Sequence, residues 1–317
     1  MKSSSKACAW GVFASLVVAA CKPSLDDDRS RVDRPRILAV QSEPAEAKPG
    51  ESVVLRALYT DGSQQLDVAP VAWGFCATRP ALDEPTALSA ACLSNADGGR
   101  TSLGAGITVN ATIPSDVCRL FGPDRPLGKP GEPAGRPADP DSTGGYYQPG
   151  VVGGAGLDDA SFDVRVRCGL PGATQAIVAE LERRYRPNVN PKLAAVRAGS
   201  DAIADGGSVT VARGASLRIR AEWPACGDDT CEGAESYVVF DPAARVLVPR
   251  REAMRVAWLA TAGHFEEGST GREESDLATD TENGWTAPDE AGDVTLWLVL
   301  RDSRGGVSFR SIRVRVG

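Results

Sequence analysis

The sequence holds a single histidine, His264, and that scarcity removes several kinds of chemistry at once. A Ser-His-Asp enzyme would have to use it. No Gly-x-Ser-x-Gly nucleophile turn accompanies it, and "TAGHFEEGS" reads as a surface loop after a strand. Zinc is short of ligands in the same way: there is no Cys-x-x-Cys pair, and His264 has no ligand spacing to any cysteine. Positive charge is not in excess. The 35 Lys and Arg face 42 Asp and Glu, for a net charge of −7, so a nucleic-acid partner has no electrostatic footprint here. No apolar run reaches the roughly 20 residues of a membrane-spanning helix. The glycines of "GVVGGAG" (150–156) lack the strand–helix frame of a dinucleotide loop. No cofactor and no catalytic residue is expected, and a hydrolase is the remote alternative.

What is present points to strands. Glycine (34) and proline (22) are plentiful, which favours turns over long helices, and 42% hydrophobic residues suffice for packed cores. A length of 317 residues suits about two domains. Val53, Leu55, Ala57 and Tyr59 alternate with polar positions, as do Leu217, Ile219, Ala221 and Trp223. A period of two places one face inward and one in water. Val294, Leu296, Leu298 and Leu300 share a face while Trp297 and Val299 share the other, so this strand is expected to be covered on both sides. "DSRGG" (302–306) reads as a hairpin loop. After it Val307 and Phe309 differ in parity from Ile312, Val314 and Val316, which predicts a bulge near Ser311.

The pattern occurs twice. Arg56-Ala57-Leu58-Tyr59 matches Arg220-Ala221-Glu222-Trp223, and Val-Ala-Trp recurs at 71–73 and 256–258. The stretch 161–185 parallels 293–316 as two strands around a glycine turn, which makes 176–184, "AIVAELERR", a strand rather than a helix. A duplicated domain is predicted at 35–187 and 190–317, joined by the polar linker "RPNVNP". The placement of Trp73 and Trp258, and "WTAPDEAGDVTLWLVLRDSRGG" (285–306), resemble bacterial immunoglobulin-like and polycystic-kidney-disease-like modules. The resemblance implies two antiparallel β-sandwiches in tandem, an all-β chain, with Trp73 and Trp258 filling the cores.

The first 20 residues carry Lys2 and Lys6 and then an apolar stretch, Ala7 to Ala20, of the length of a secretory signal. It ends in Val18-Ala19-Ala20-Cys21, which resembles the lipobox of bacterial lipoproteins. The resemblance implies a signal peptide at 1–20, removal before Cys21, and lipidation of Cys21 with diacylglycerol and a further acyl chain such as palmitate. Several chains together make a stable anchor where one is marginal. Residues 21–34 then form a charged tether, and Lys22 after the cysteine favours the outer membrane of the cell envelope, on either its periplasmic side or the cell surface.

Without Cys8 and Cys21, the cysteines left are Cys76, Cys92, Cys118, Cys168, Cys226 and Cys231, an even set that reads as disulfides in an oxidising compartment. Order alone does not settle their connectivity; proximity suggests Cys76–Cys92, Cys118–Cys168 and Cys226–Cys231. A Pro/Gly-rich insertion at 119–156 interrupts the first unit, and within it Tyr146 and Tyr147 are candidate contacts of a recognition loop. Glu266, Glu267, Glu273, Glu274 and Asp276, and separately Asp228 and Asp229, are acidic clusters suited to a solvated face or weak calcium binding. The functional expectation is a non-enzymatic, lipid-anchored binding, adhesion or structural module. Its partners would be the membrane, through its lipid, and an unidentified protein or glycan. The alternative is a periplasmic accessory subunit of an envelope assembly or transport machine.

Overall fold

Alternation of period two becomes strand pairing in two successive sandwiches. The computed structural model describes residues 29–68, 71–124, 143–154, 156–170, 172–227 and 231–317. The first sandwich comprises β1 (Arg36–Glu43), β2 (Glu46–Ala47), β3 (Ser52–Thr60), β4 (Gln65–Leu66), β5 (Ala72–Cys76), β6 (Arg100–Ala105), β7 (Thr108–Thr112), β8 (Tyr146–Gly153) and β9 (Ala160–Val166). Short helices α1 (Ala90–Ser94) and α2 (Val117–Leu120) sit in its loops, and α3 (Gln175–Arg184) follows it. The second comprises β10 (Ala195–Ala198), β11 (Asp201–Ile203), β12 (Ser208–Val211), β13 (Ser216–Glu222), β14 (Ser236–Asp241), β15 (Val246–Arg251), β16 (Met254–Ala260), β17 (His264–Phe265), β18 (Ser269–Arg272), β19 (Asp280–Thr286), β20 (Gly292–Asp302) and β21 (Val307–Val316).

The two units share one immunoglobulin-like wiring. One sheet runs β1-β3-β7 in the first and β10-β13-β19 in the second; the facing sheet runs β2-β9-β8-β5-β6 and β12-β21-β20-β16-β18. In both, the chain switches sheets early, so that a short edge strand lies parallel to the last strand, β2 beside β9 and β12 beside β21. Trp73 on β5 and Trp258 on β16 hold equivalent positions and are buried in the two cores. Each indole N–H is satisfied, by the Gly106 carbonyl at 2.7 Å and by Thr270 Oγ1 at 2.9 Å.

Structural equivalence corrects the expected end of the repeat. The partner of the β20–β21 hairpin is β8–β9, spanning 146–166, and not 161–185. The strand β8 is hidden inside the Pro/Gly-rich segment read as an insertion, of which 125–142 lie outside the described residues. Its glycines have a packing reason: a Cβ on Gly150 would fall 2.3 Å from Phe162 Cζ, so the aromatic ring occupies the space a side chain would take. The stretch 176–184 is helical and not a strand. Thr174 caps α3 by accepting from the Ile177 N–H, Ala, Leu, Glu and Arg favour the helix, and Arg183 and Arg184 sit in its last turn.

No bulge occurs at Ser311: β20 and β21 pair without a register shift from Gly292↔Val316 to Arg301↔Val307. The change of parity reflects two burials. Ile312, Val314 and Val316 face their own core, whereas Val307 and Phe309 face the first sandwich. There, with Trp297 and Val299 of β20 and Ala257 and Leu259 of β16, they meet Leu38, Ala39 and Leu58 on the outer face of β1 and β3. Val32, just ahead of β1, is buried in the same cluster, and its N–H donates to the Ala260 carbonyl at 2.8 Å. The sandwiches are therefore joined face to face by an apolar seam, with both faces of β20 buried.

Candidate functional site

The densest concentration of ionisable groups lies at one end of that seam, where residues from both sandwiches and from the segment between them meet. Its centre is Arg304, in the turn between β20 and β21 and 0% exposed. Its Nε donates to Glu252 Oε1 at 2.6 Å, Nη2 to Glu235 Oε2 at 2.7 Å and Nη1 to the Arg186 carbonyl at 2.7 Å. Its guanidinium carbon stands 4.7 Å from the centre of the Tyr237 ring. Its backbone N–H donates to Asp302 Oδ1 at 2.8 Å. A second buried arginine, Arg165 on β9, donates from Nε to Glu46 Oε2 at 3.2 Å and from Nη1 to Thr143 Oγ1 at 2.8 Å and Tyr147 Oη at 3.1 Å.

Asn188 joins the two groups. Its backbone N–H donates to Glu46 Oε2 at 3.1 Å and its Nδ2 to Asp302 Oδ1 at 3.3 Å. Tyr147 is a second link, since its hydroxyl also lies 3.4 Å from the Arg304 carbonyl. The expected linker 186–191 is thus a packed strap: beyond Arg186 and Asn188, Val189 donates to Glu235 at 3.3 Å and Asn190 Nδ2 to the Ser42 carbonyl at 2.7 Å. The hairpin β14–β15 leans across from the second sandwich against α3.

Four carboxyls, Glu46, Glu235, Glu252 and Asp302, share two buried arginines. Burial, with the Asp302 charge next, pushes Glu252 up to about 8 against the pull of Arg304. Burial likewise raises Asp302 and Glu235, and burial followed by the Glu46 charge raises the Tyr185 hydroxyl, which donates to Glu46. Both arginines are buried, and the network ties the two sandwiches to each other through Asn188, Tyr147 and the Arg186 carbonyl.

The residues singled out from sequence fall in several places. Tyr146 and Tyr147 are not loop contacts: they open β8, Tyr146 packing on the first core and Tyr147 in the network, because the strand runs through the supposed insertion. The six cysteines form Cys76–Cys92, Cys118–Cys168 and Cys226–Cys231. Cys21, Asp228 and Asp229 lie outside the described residues. His264 is exposed on the short strand β17. The acidic residues are dispersed among arginines, Glu266 with Arg218 at 2.9 Å, Glu273 with Arg255 at 3.3 Å, Glu274 with Arg250 at 3.1 Å and Asp276 with Arg272 at 3.1 Å. Among the described residues no group of His, Cys, Asp and Glu is arranged to hold a metal. Sequence reasoning missed Arg304, Glu252, Glu235, Arg165 and Glu46. A charged residue in a strand or hairpin normally faces water, and nothing local marks these as enclosed.

No family model matches the chain, and no curated protein matches it. Among solved structures, the fibronectin(III)-like modules of Clostridium thermocellum CbhA are 11% identical, with 88% of this chain and 94% of that one covered and a TM-score of 0.24. The two tandem V-type regions of VCBP3, a v-region-containing chitin binding protein, are 12% identical, with 88% and 100% covered and a TM-score of 0.27. A nucleoside hydrolase-related protein from Saccharophagus degradans is 15% identical at a TM-score of 0.23; the match covers 41% of this chain and only 26% of that one. At these scores the likenesses assign neither a family nor an activity.

Proposed function

We propose that this chain is a non-enzymatic, lipid-anchored module of the bacterial cell envelope that binds or braces a protein or glycan partner. The observation that carries this reading is the set of three disulfides, which form and persist in oxidising compartments. The apolar N-terminal stretch ending at Cys21 supplies a route to that compartment and a point of attachment. The locked seam supports a bracing or presenting role. Two sandwiches joined by buried hydrogen bonds and an apolar cluster transmit force and hold their end loops at a fixed separation, which a flexible linker would not do.

The test is metabolic labelling with radioactive palmitate in a Gram-negative host. Label is expected in the wild-type chain and in the membrane pellet, and both are expected to vanish in Cys21→Ser. A soluble, unlabelled wild-type chain would overturn the anchoring. Protease treatment of intact cells then separates surface display, where the chain is digested, from a periplasmic accessory role, where it is protected.

A further inference from the structure

The outer face of the β16–β20 sheet is only partly covered by the first sandwich. Beyond the apolar seam it opens into a hollow of about 350 Å³ lined by Ala253, Arg255, Ala257, Ser269, Arg301 and Ser303, with Asp302 in its wall. The alanines make the space, and two arginines flank it. Arg255 on β16 stands directly opposite Arg301 on β20 in the antiparallel register. Like charges in that relation repel and destabilise the pair.

Neither charge is well answered among the described residues. Arg301 has no carboxylate within ion-pair distance among the described residues; its one hydrogen bond, from Nη2 to the Leu38 carbonyl, is long at 3.5 Å. Burial lowers its pKa. Arg255 meets Glu273 at 3.3 Å, but these side chains are 62% and 76% exposed, and such a surface pair is weakly held. Shortage of acid is not the reason, since the chain carries 42 Asp and Glu against 35 Lys and Arg. Asp302 does not serve: its Oδ1 accepts from Arg304, Asn188 and Gly306 on the inner side. A half-buried guanidinium left without an anion is costly unless something completes it.

We propose that this hollow is a binding site for an oxyanion, a carboxylate or phosphate group, borne on a small apolar body. Arg301 grips the oxygens with its planar fork, and Arg255 swings from Glu273 to close the other side. The Ser269 hydroxyl at the rim supplies a further donor, and Ala253 and Ala257 receive the apolar part.

Calorimetric titration of the purified full chain tests this with sodium phosphate, acetate and N-acetyl-leucine, at constant ionic strength in chloride. Saturable binding is expected for phosphate and N-acetyl-leucine, with acetate weaker than N-acetyl-leucine for want of the apolar body. Arg301→Gln is expected to weaken binding at least roughly tenfold, the size of one charge-assisted contact. Arg255→Glu gives a readout independent of that loss. It hands Arg301 a cross-strand carboxylate, so binding is expected to disappear while the melting temperature rises. Equal affinity in wild type and Arg301→Gln, no binding of any probe to wild type, or a lowered melting temperature in Arg255→Glu would overturn the site.

Discussion

Arg304 and Arg186 lie 118 residues apart in sequence and are joined by a hydrogen bond of 2.7 Å from the guanidinium Nη1 of one to the backbone carbonyl of the other. The bond ties the last hairpin of the second sandwich to the segment that leaves the first. It makes the strap between the modules part of a buried core, and the strength of the junction depends on Arg304 more than on any other side chain there.

Arg304→Met is therefore expected to be severely destabilising. It removes the shared cation and leaves Glu235 and Glu252 enclosed without it, a situation that costs about 3–5 kcal/mol when one partner of a buried pair is deleted. Urea unfolding should show the loss, and limited proteolysis should show new cleavage near 186–191. Adding Glu252→Gln should restore part of the stability, because it removes a buried carboxyl that has lost its arginine and must take up a proton to stay enclosed; a double variant worse than the single would contradict this account.

The same cluster makes stability fall as pH rises. Glu252 titrates near its ordinary value of 4.5 when unfolded and near 8 when folded, so the folded chain holds a proton that the unfolded chain has released. Its contribution is complete below about pH 4.5 and is lost progressively up to about pH 8; the raised Asp302 and Glu235 act in the same direction. The slope from one such group is at most about 1.4 kcal/mol per pH unit. Denaturation midpoints measured between pH 5 and 8 should decline, and Glu252→Gln should flatten the decline.

How far sequence carries is visible in particular strands. Alternation located β3, β13 and β20, and the repeated Val-Ala-Trp located β5 and β16, because these side chains face a core made within their own unit. Where burial comes from elsewhere the local pattern misleads. Val307 and Phe309 imitate a bulge because another sandwich covers them. β8 imitates a loop because Phe162, across the hairpin on β9, needs the absence of a side chain at Gly150. The junction was least legible of all. Arg304 sits in "DSRGG", a turn whose composition promises water, and only the folding of 46, 165, 186–188, 235 and 252 around it reverses that.

The disulfides should differ in their contribution. Cys118–Cys168 spans 50 residues and Cys226–Cys231 only 5. Loop-closure entropy gives about 4 kcal/mol for the first and about 2 kcal/mol for the second. Replacing Cys118 and Cys168 together by Ala should lower the melting temperature about twice as much as replacing Cys226 and Cys231. Cys118 is moreover buried in the first core, so its loss also removes packing. Equal effects would mean that loop length does not govern the difference.

Gly150→Ala is expected to destabilise the first sandwich even though alanine is the smallest possible side chain. Its Cβ would meet the Phe162 ring at 2.3 Å from Cζ, well inside contact distance, with the ring held by Trp73 at 5.4 Å and Phe75 at 6.0 Å between centroids. The ring cannot withdraw without disturbing both, and overpacking of this kind costs about 1–3 kcal/mol. Backbone strain is not the cause, since Gly150 lies in paired strand opposite Phe162 and lacks a positive φ. The clash account makes a sharper demand than simple loss of stability. Phe162→Leu alone should also destabilise, by leaving space beside Trp73, yet joined to Gly150→Ala it should recover part of the loss, because the shorter side chain admits the new methyl. A thermodynamic cycle of the four proteins measures the coupling, and a value near zero would show that the glycine serves some purpose other than making room for the ring.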